Sequence, residues 1–141
     1  MAVVLKRVYD PPSSRDGARV LVDRLWPRGV SKERAKLKLW LKDVAPSDEL
    51  RKWYHARPTQ WPKFREKYLE ELSSSAEAAA ALDQLHDLAV KRKTLTLLFA
   101  SHNLDHNNAT VLKELLDGMK KPPRSTGEGG AAAIRKSARA R

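Results

Sequence analysis

The chain has 141 residues, no cysteine and a net charge of +11. That length suits one domain with a core of its own. Without cysteine there are no disulfides, no thiol nucleophile and no thiolate-held metal, in keeping with a reducing cytoplasm. No run reaches the roughly 20 apolar residues of a spanning helix, and the charged start Met1-Ala2-Val3-Val4-Leu5-Lys6-Arg7 is no signal peptide. A soluble cytoplasmic protein that avoids membranes is therefore expected. The positive balance favours polyanions such as nucleotides or nucleic acid. Seven Lys and Arg residues between Gly118 and Arg141 face Glu128 alone, so over half of the excess lies at that end.

Residues 3–9, Val-Val-Leu-Lys-Arg-Val-Tyr, form the first expected strand, rich in β-branched and aromatic types. Two prolines and Asp16-Gly17 mark a loop, and Arg19-Val20-Leu21-Val22-Asp23 forms a second strand. The connection is too short for a parallel crossover between neighbours, so direct pairing of the two would have to be antiparallel. Ser31 caps a short helix with Glu33 in its first turn, and Ser47 caps another bearing Leu50, Trp53 and Tyr54. Thr59 is expected to open a third helix, with Pro62 in its first turn and a stripe of Trp61, Phe64, Tyr68 and Leu72. Ser74 and Glu77 suggest a capping box for a fourth, with Leu82, Leu85 and Ala89 on one face and His86 beside them as a structural residue.

Thr94-Leu95-Thr96-Leu97-Leu98-Phe99-Ala100 reads as a buried strand of a parallel sheet. A last helix begins near Asn107 or Asn108 and carries Leu112, Leu115, Leu116 and Met119. These elements predict an α/β fold: a single small domain with a short mixed or parallel sheet flanked by helices. It spans residues 1–119, and a disordered basic tail follows over 120–141, where apolar periodicity stops.

Ligands of open α/β sheets gather at the carboxyl ends of strands. Two segments qualify. Asp23-Arg24-Leu25-Trp26-Pro27-Arg28-Gly29 follows the second strand, and Ser101-His102-Asn103-Leu104-Asp105-His106-Asn107-Asn108 follows the buried one. If these strands run parallel, both segments open onto one edge. Arg24 and Arg28 suit a phosphate or carboxylate, and Trp26 can stack on a base. The bland alternative has Asp23 and Arg24 pair with each other or cap nearby backbone, and makes Trp26 part of the core. Asp105 and His106 are candidates for proton transfer beside Asp23, with Asn107 a ligand contact, though capping accounts for some of these polar residues. His102 and His106, four apart, could share a metal on a helix, but no third ligand accompanies them and no metal or cofactor is assigned. Lys42, Asp43, Trp53 and His55 are further candidates for the same mouth. Lys42–Asp43 could equally be an exposed ion pair, and His55 could simply end its helix. Gly-rich dinucleotide loops, the Walker pattern and the Gly-x-Ser-x-Gly elbow are absent from the sequence.

The runs Val20–Gly29, Trp40–Ser47, Leu50–His55, Trp61–Tyr68 and Asp105-His106-Asn107 resemble YeaO-like proteins of domain-of-unknown-function family 488, in order over roughly residues 3–117. The resemblance implies a compact bacterial α/β domain and brings no particular reaction. His102 departs from it, where many relatives are expected to carry lysine. Two functions are therefore expected to compete: a binding or hydrolytic site for a nucleotide or other phosphate-bearing ligand, and a non-enzymatic nucleic-acid-binding accessory acting through the tail and surface cations.

Overall fold

The computed structural model describes residues 1–119. The tail expected over 120–141, and so its disorder and its boundary, lies outside the described residues. Four strands form one parallel sheet, β1 (Ala2–Arg7), β2 (Ala18–Leu21), β3 (Leu39–Trp40) and β4 (Thr94–Phe99), in the order β1-β4-β2-β3. Five helices complete it: α1 (Lys32–Ala35), α2 (Asp48–His55), α3 (Trp61–Ser73), α4 (Ala76–Arg92) and α5 (Asn108–Gly118). The α/β reading holds.

β1 and β2 do not pair. β4 lies between them and is parallel to both, so the loop that is too short to join parallel neighbours instead steps across β4. Gly17, at φ +63, makes this step possible: a Cβ there would sit 2.3 Å from the Thr94 carbonyl oxygen. Asp16 fastens the loop. Its carboxylate accepts from the Ser13 N–H at 3.0 Å, Lys6 Nζ at 3.2 Å and Arg19 Nη1 at 2.5 Å, and Thr96 Oγ1 donates to its carbonyl.

Alternation along the strands divides the core. Val20, Val22, Leu95, Leu97 and Phe99 join the main cluster with apolar residues of α2 to α5. Leu21 and Leu98 face the other way, where Trp26, Val30, Leu37 and Trp40 cover them. The stripe Phe64, Tyr68 and Leu72 of α3 is buried, as are Leu82, Leu85 and Ala89 of α4; His86 is buried with them.

Caps differ from expectation by a residue in two places. Gln60, not Thr59, precedes α3. Ser75, not Ser74, caps α4 by accepting from the Ala78 N–H, because Ser74 still closes α3 through the Glu70 carbonyl. The pair β3 was not foreseen, since two residues have no period to read. No helix among the described residues is long and apolar enough to cross a membrane.

Candidate functional site

β2 and β4 are parallel neighbours, so their carboxyl ends open together. The segments that follow them form a cleft of about 740 Å³. Asn108 stitches the two: its side-chain N–H group donates to the Val22 carbonyl at 2.9 Å and to Asp23 Oδ1 at 3.1 Å. Asp23 Oδ2 accepts from the Ala100 N–H at 2.9 Å, and the Asp23 carbonyl accepts from Trp40 Nε1 at 2.7 Å. Burial raises the Asp23 carboxyl above its usual range, against the hydrogen bonds from Ala100 and Asn108 and the Arg51 charge, which lower it.

Of the residues expected at the site, Asp23, Arg24, Trp26, Arg28, His55, His106 and Asn107 all line this cleft. Asp23 and Arg24 do not pair with each other; both bond to nearby backbone, as the bland alternative allowed. Arg24 instead donates from Nε to the Pro46 carbonyl at 3.1 Å and from Nη2 to the Ala45 carbonyl at 3.3 Å, holding the entry to α2. Trp26 gives its N–H to the Val30 carbonyl at 2.6 Å, meets Trp40 edge-on at 5.3 Å and packs against Leu21 and Leu98, so it is a packing residue as well as a lining one. Asn107 is buried and caps α5: its Oδ1 accepts from the Thr110 N–H and its Nδ2 donates to the Asn103 carbonyl. His106 is exposed and lies flat on Trp61, with ring centroids 4.7 Å apart and planes 9° apart.

Four expected residues do not reach the cleft. Asp105 is exposed away from it, its N–H taken by Asn103 Oδ1. Lys42 turns over the Trp40 ring at 4.0 Å, and the adjacent Asp43 is exposed in the same short turn, outside the lining. Trp53 belongs to a smaller hollow of about 340 Å³ between α2 and α3, flanked by Arg57 and Lys67. The i, i+4 metal geometry fails because residues 102–106 are not helical. Among the described residues, no group of three His, Asp or Glu could hold a metal ion.

Other lining residues were missed. Arg51 lies one turn before His55 on α2, so the i, i+4 rule could have found it. Tyr54 and Phe64, stacked at 4.4 Å, form an apolar wall. Their helical spacing alone marks them as core.

The fold and site define a small parallel α/β domain with a cation-lined cleft at the carboxyl edge of its sheet. The chain belongs to the family described as the inactive DUF488-N3 subclade, whose model matches residues 2–129. It is 44% identical over 116 residues to "Uncharacterized protein YeaO" of Escherichia coli (strain K12), covering 82% of this chain and 97% of that one. It is 43% identical over 116 residues to "Uncharacterized protein Rv3073c" of Mycobacterium tuberculosis (strain ATCC 25618 / H37Rv), covering 82% and 94%. No solved structure matches the chain.

Proposed function

We propose that the cleft binds a phosphate-bearing ligand of nucleotide size in the cytoplasm and does not turn it over. The observation that carries this is the make-up of the lining: the guanidiniums of Arg24, Arg28 and Arg51 converge there with the imidazoles of His55, His102 and His106, and Asp23 is its one acid. A volume of about 740 Å³ suits a small-molecule site. Arg28 and Arg51 are exposed guanidiniums able to fork onto phosphate oxygens, Arg51 by giving up an exposed 3.5 Å contact with Asp48, while the Tyr54–Phe64 wall and the His106 ring offer flat surfaces for a base.

Binding without turnover fits better than hydrolysis. Both oxygens of Asp23 already accept hydrogen bonds from the protein, which suits a carboxylate holding the cleft wall together. Asp105 is outside the lining, which leaves His106 alone of the three candidate proton carriers. The subclade is also described as inactive.

Calorimetric titration with nucleoside monophosphates, the matching nucleosides and inorganic phosphate tests the reading. A monophosphate should bind at least tenfold more tightly than its nucleoside. The double substitution Arg28→Ala/Arg51→Ala should remove that advantage with the melting temperature nearly unchanged, since both side chains are exposed. Arg24 is a poorer probe, because its loss would also release the 45–46 turn. Equal affinity for nucleoside and monophosphate would refute an anion site.

A further inference from the structure

The positive charge of the domain is gathered in one stretch. Between Arg24 and Asp43 seven basic residues meet only Glu33 and Asp43, whereas the rest of the chain up to Asp117 holds fourteen residues of each sign. Arg28, Lys32, Arg34, Lys36, Lys38 and Lys42 are all exposed, and none of the six is ion-paired among the described residues.

Packing fixes this arm with its charges outward. Val30, Leu37 and the two tryptophans turn in upon Leu21 and Leu98. The buried Arg19 guanidinium holds the Ala35 carbonyl through Nε at 3.0 Å and Nη2 at 2.8 Å, and the Lys38 N–H donates to the Arg19 carbonyl at 2.8 Å. The arm then joins the sheet through β3. Like charges crowded on so short a segment repel one another. Arg28 belongs both to this arm and to the cleft lining.

A free mononucleotide would occupy the cleft and leave Lys32, Arg34, Lys36 and Lys38 unanswered. A strand of nucleic acid would engage both, with one nucleotide in the cleft and its neighbouring phosphates along the arm. We propose that the arm from Arg28 to Lys42 is a phosphate-tracking ridge, and that the cleft's ligand is a nucleotide carried by single-stranded nucleic acid. This rests on the anion-cleft reading and extends it. A duplex fits less well, because its bases must leave the stack before one can enter a cleft, whereas basic grooves bordered by aromatic side chains suit single strands.

The test uses the full chain, with eight-nucleotide thymidine and uridine oligomers, the two monophosphates and a duplex of equal length, between about 50 and 200 mM salt. The oligomer should bind at least tenfold more tightly than the monophosphate. In Lys32→Gln/Arg34→Gln/Lys38→Gln, the slope of log affinity against log salt should fall by about 2, at roughly 0.7 per single-strand phosphate contact. Monophosphate affinity should stay within twofold. The basic residues beyond 119 are present in both proteins, so the comparison isolates the ridge. An unchanged slope overturns the proposal, as does a duplex that binds as tightly as the single strand. An oligomer that binds no better than the monophosphate also overturns it while leaving the cleft reading intact. If neither binds, both fall. Thymidine against uridine decides between DNA and RNA.

Discussion

Asp16 and Asp23 flank the same four-residue strand, β2, and are held in opposite ways. Ahead of the strand, Asp16 meets two cations, Lys6 and Arg19, and a backbone N–H; burial raises its carboxyl, but these partners together bring it below the usual range. Beyond the strand, Asp23 meets only neutral donors at close range, the Ala100 N–H and the Asn108 amide, and burial wins. The nearby arginines are directed elsewhere: Arg24 to backbone carbonyls, Arg28 towards solvent, and Arg51 to an exposed contact with Asp48 at 3.5 Å. One junction consumes its cations inside the fold. The other leaves Arg28 unpaired and Arg51 with only a surface partner among the described residues, and that difference separates a structural fastening from the proposed binding site more clearly than residue type does.

The sharpest way to break the first junction is Gly17→Ala. Its Cβ would strike the Thr94 carbonyl oxygen, a backbone atom that cannot swing away, at a φ that side chains rarely adopt. A loss of about 3 kcal/mol or more is expected by chemical denaturation, or failure to fold. Gly29, past the second junction, also has positive φ but has nothing within 4 Å of a new Cβ, so Gly29→Ala should lose only about 1–2 kcal/mol. Equal losses would mean that close approach to β4 does not govern the first site. Next in size, Asp16→Ala strands Arg19, which is 5% exposed, without its carboxylate. Removing one partner of a buried pair costs about 3 kcal/mol; a measured loss below about 1 kcal/mol would rule out Asp16 as the fastening.

Much of this was readable beforehand because local chemistry decided it. Ser31, Ser47 and Asn107 cap helices where their side chains predict, and an unbroken apolar run marked β4 as an inner strand. Arg24, Trp26 and His106 were expected at one mouth from strand-end position alone, and they line it. What stayed hidden depends on long-range pairing. The insertion of β4 between β1 and β2 pairs residues as far apart as Ala2 with Thr94 and Ala18 with Leu95, and β3 exists only because β2 offers it an edge. Trp53 and Lys42 were misplaced for a related reason. An aromatic or a lysine beside a motif has no local signal for which of two hollows, or which ring, it will face.

The smallest expected effect tests the comparison most directly. Asp23→Asn should lose about 1–2 kcal/mol at neutral pH, because an amide offers one acceptor oxygen and turns its own N–H group towards a second donor. Its effect on acid unfolding should be opposite in sign to that of Asp16→Ala. Asp16, with a lowered folded value, contributes stability that is present above the ordinary 3.8 and disappears as pH falls through that folded value. Asp16→Ala should therefore flatten the acid limb of the stability curve. Asp23 binds its proton more tightly folded than unfolded, so its ionised form opposes folding above 3.8, and that opposition is relieved as pH drops through its raised value. Removing that relief makes the acid limb of Asp23→Asn steeper than that of the parent chain. Urea unfolding from about pH 7 down to about pH 2 measures both limbs. If the two variants moved them in the same direction, the two aspartates would share one electrostatic role, and the cationic cleft would lose its contrast with the closed junction on the other side of β2.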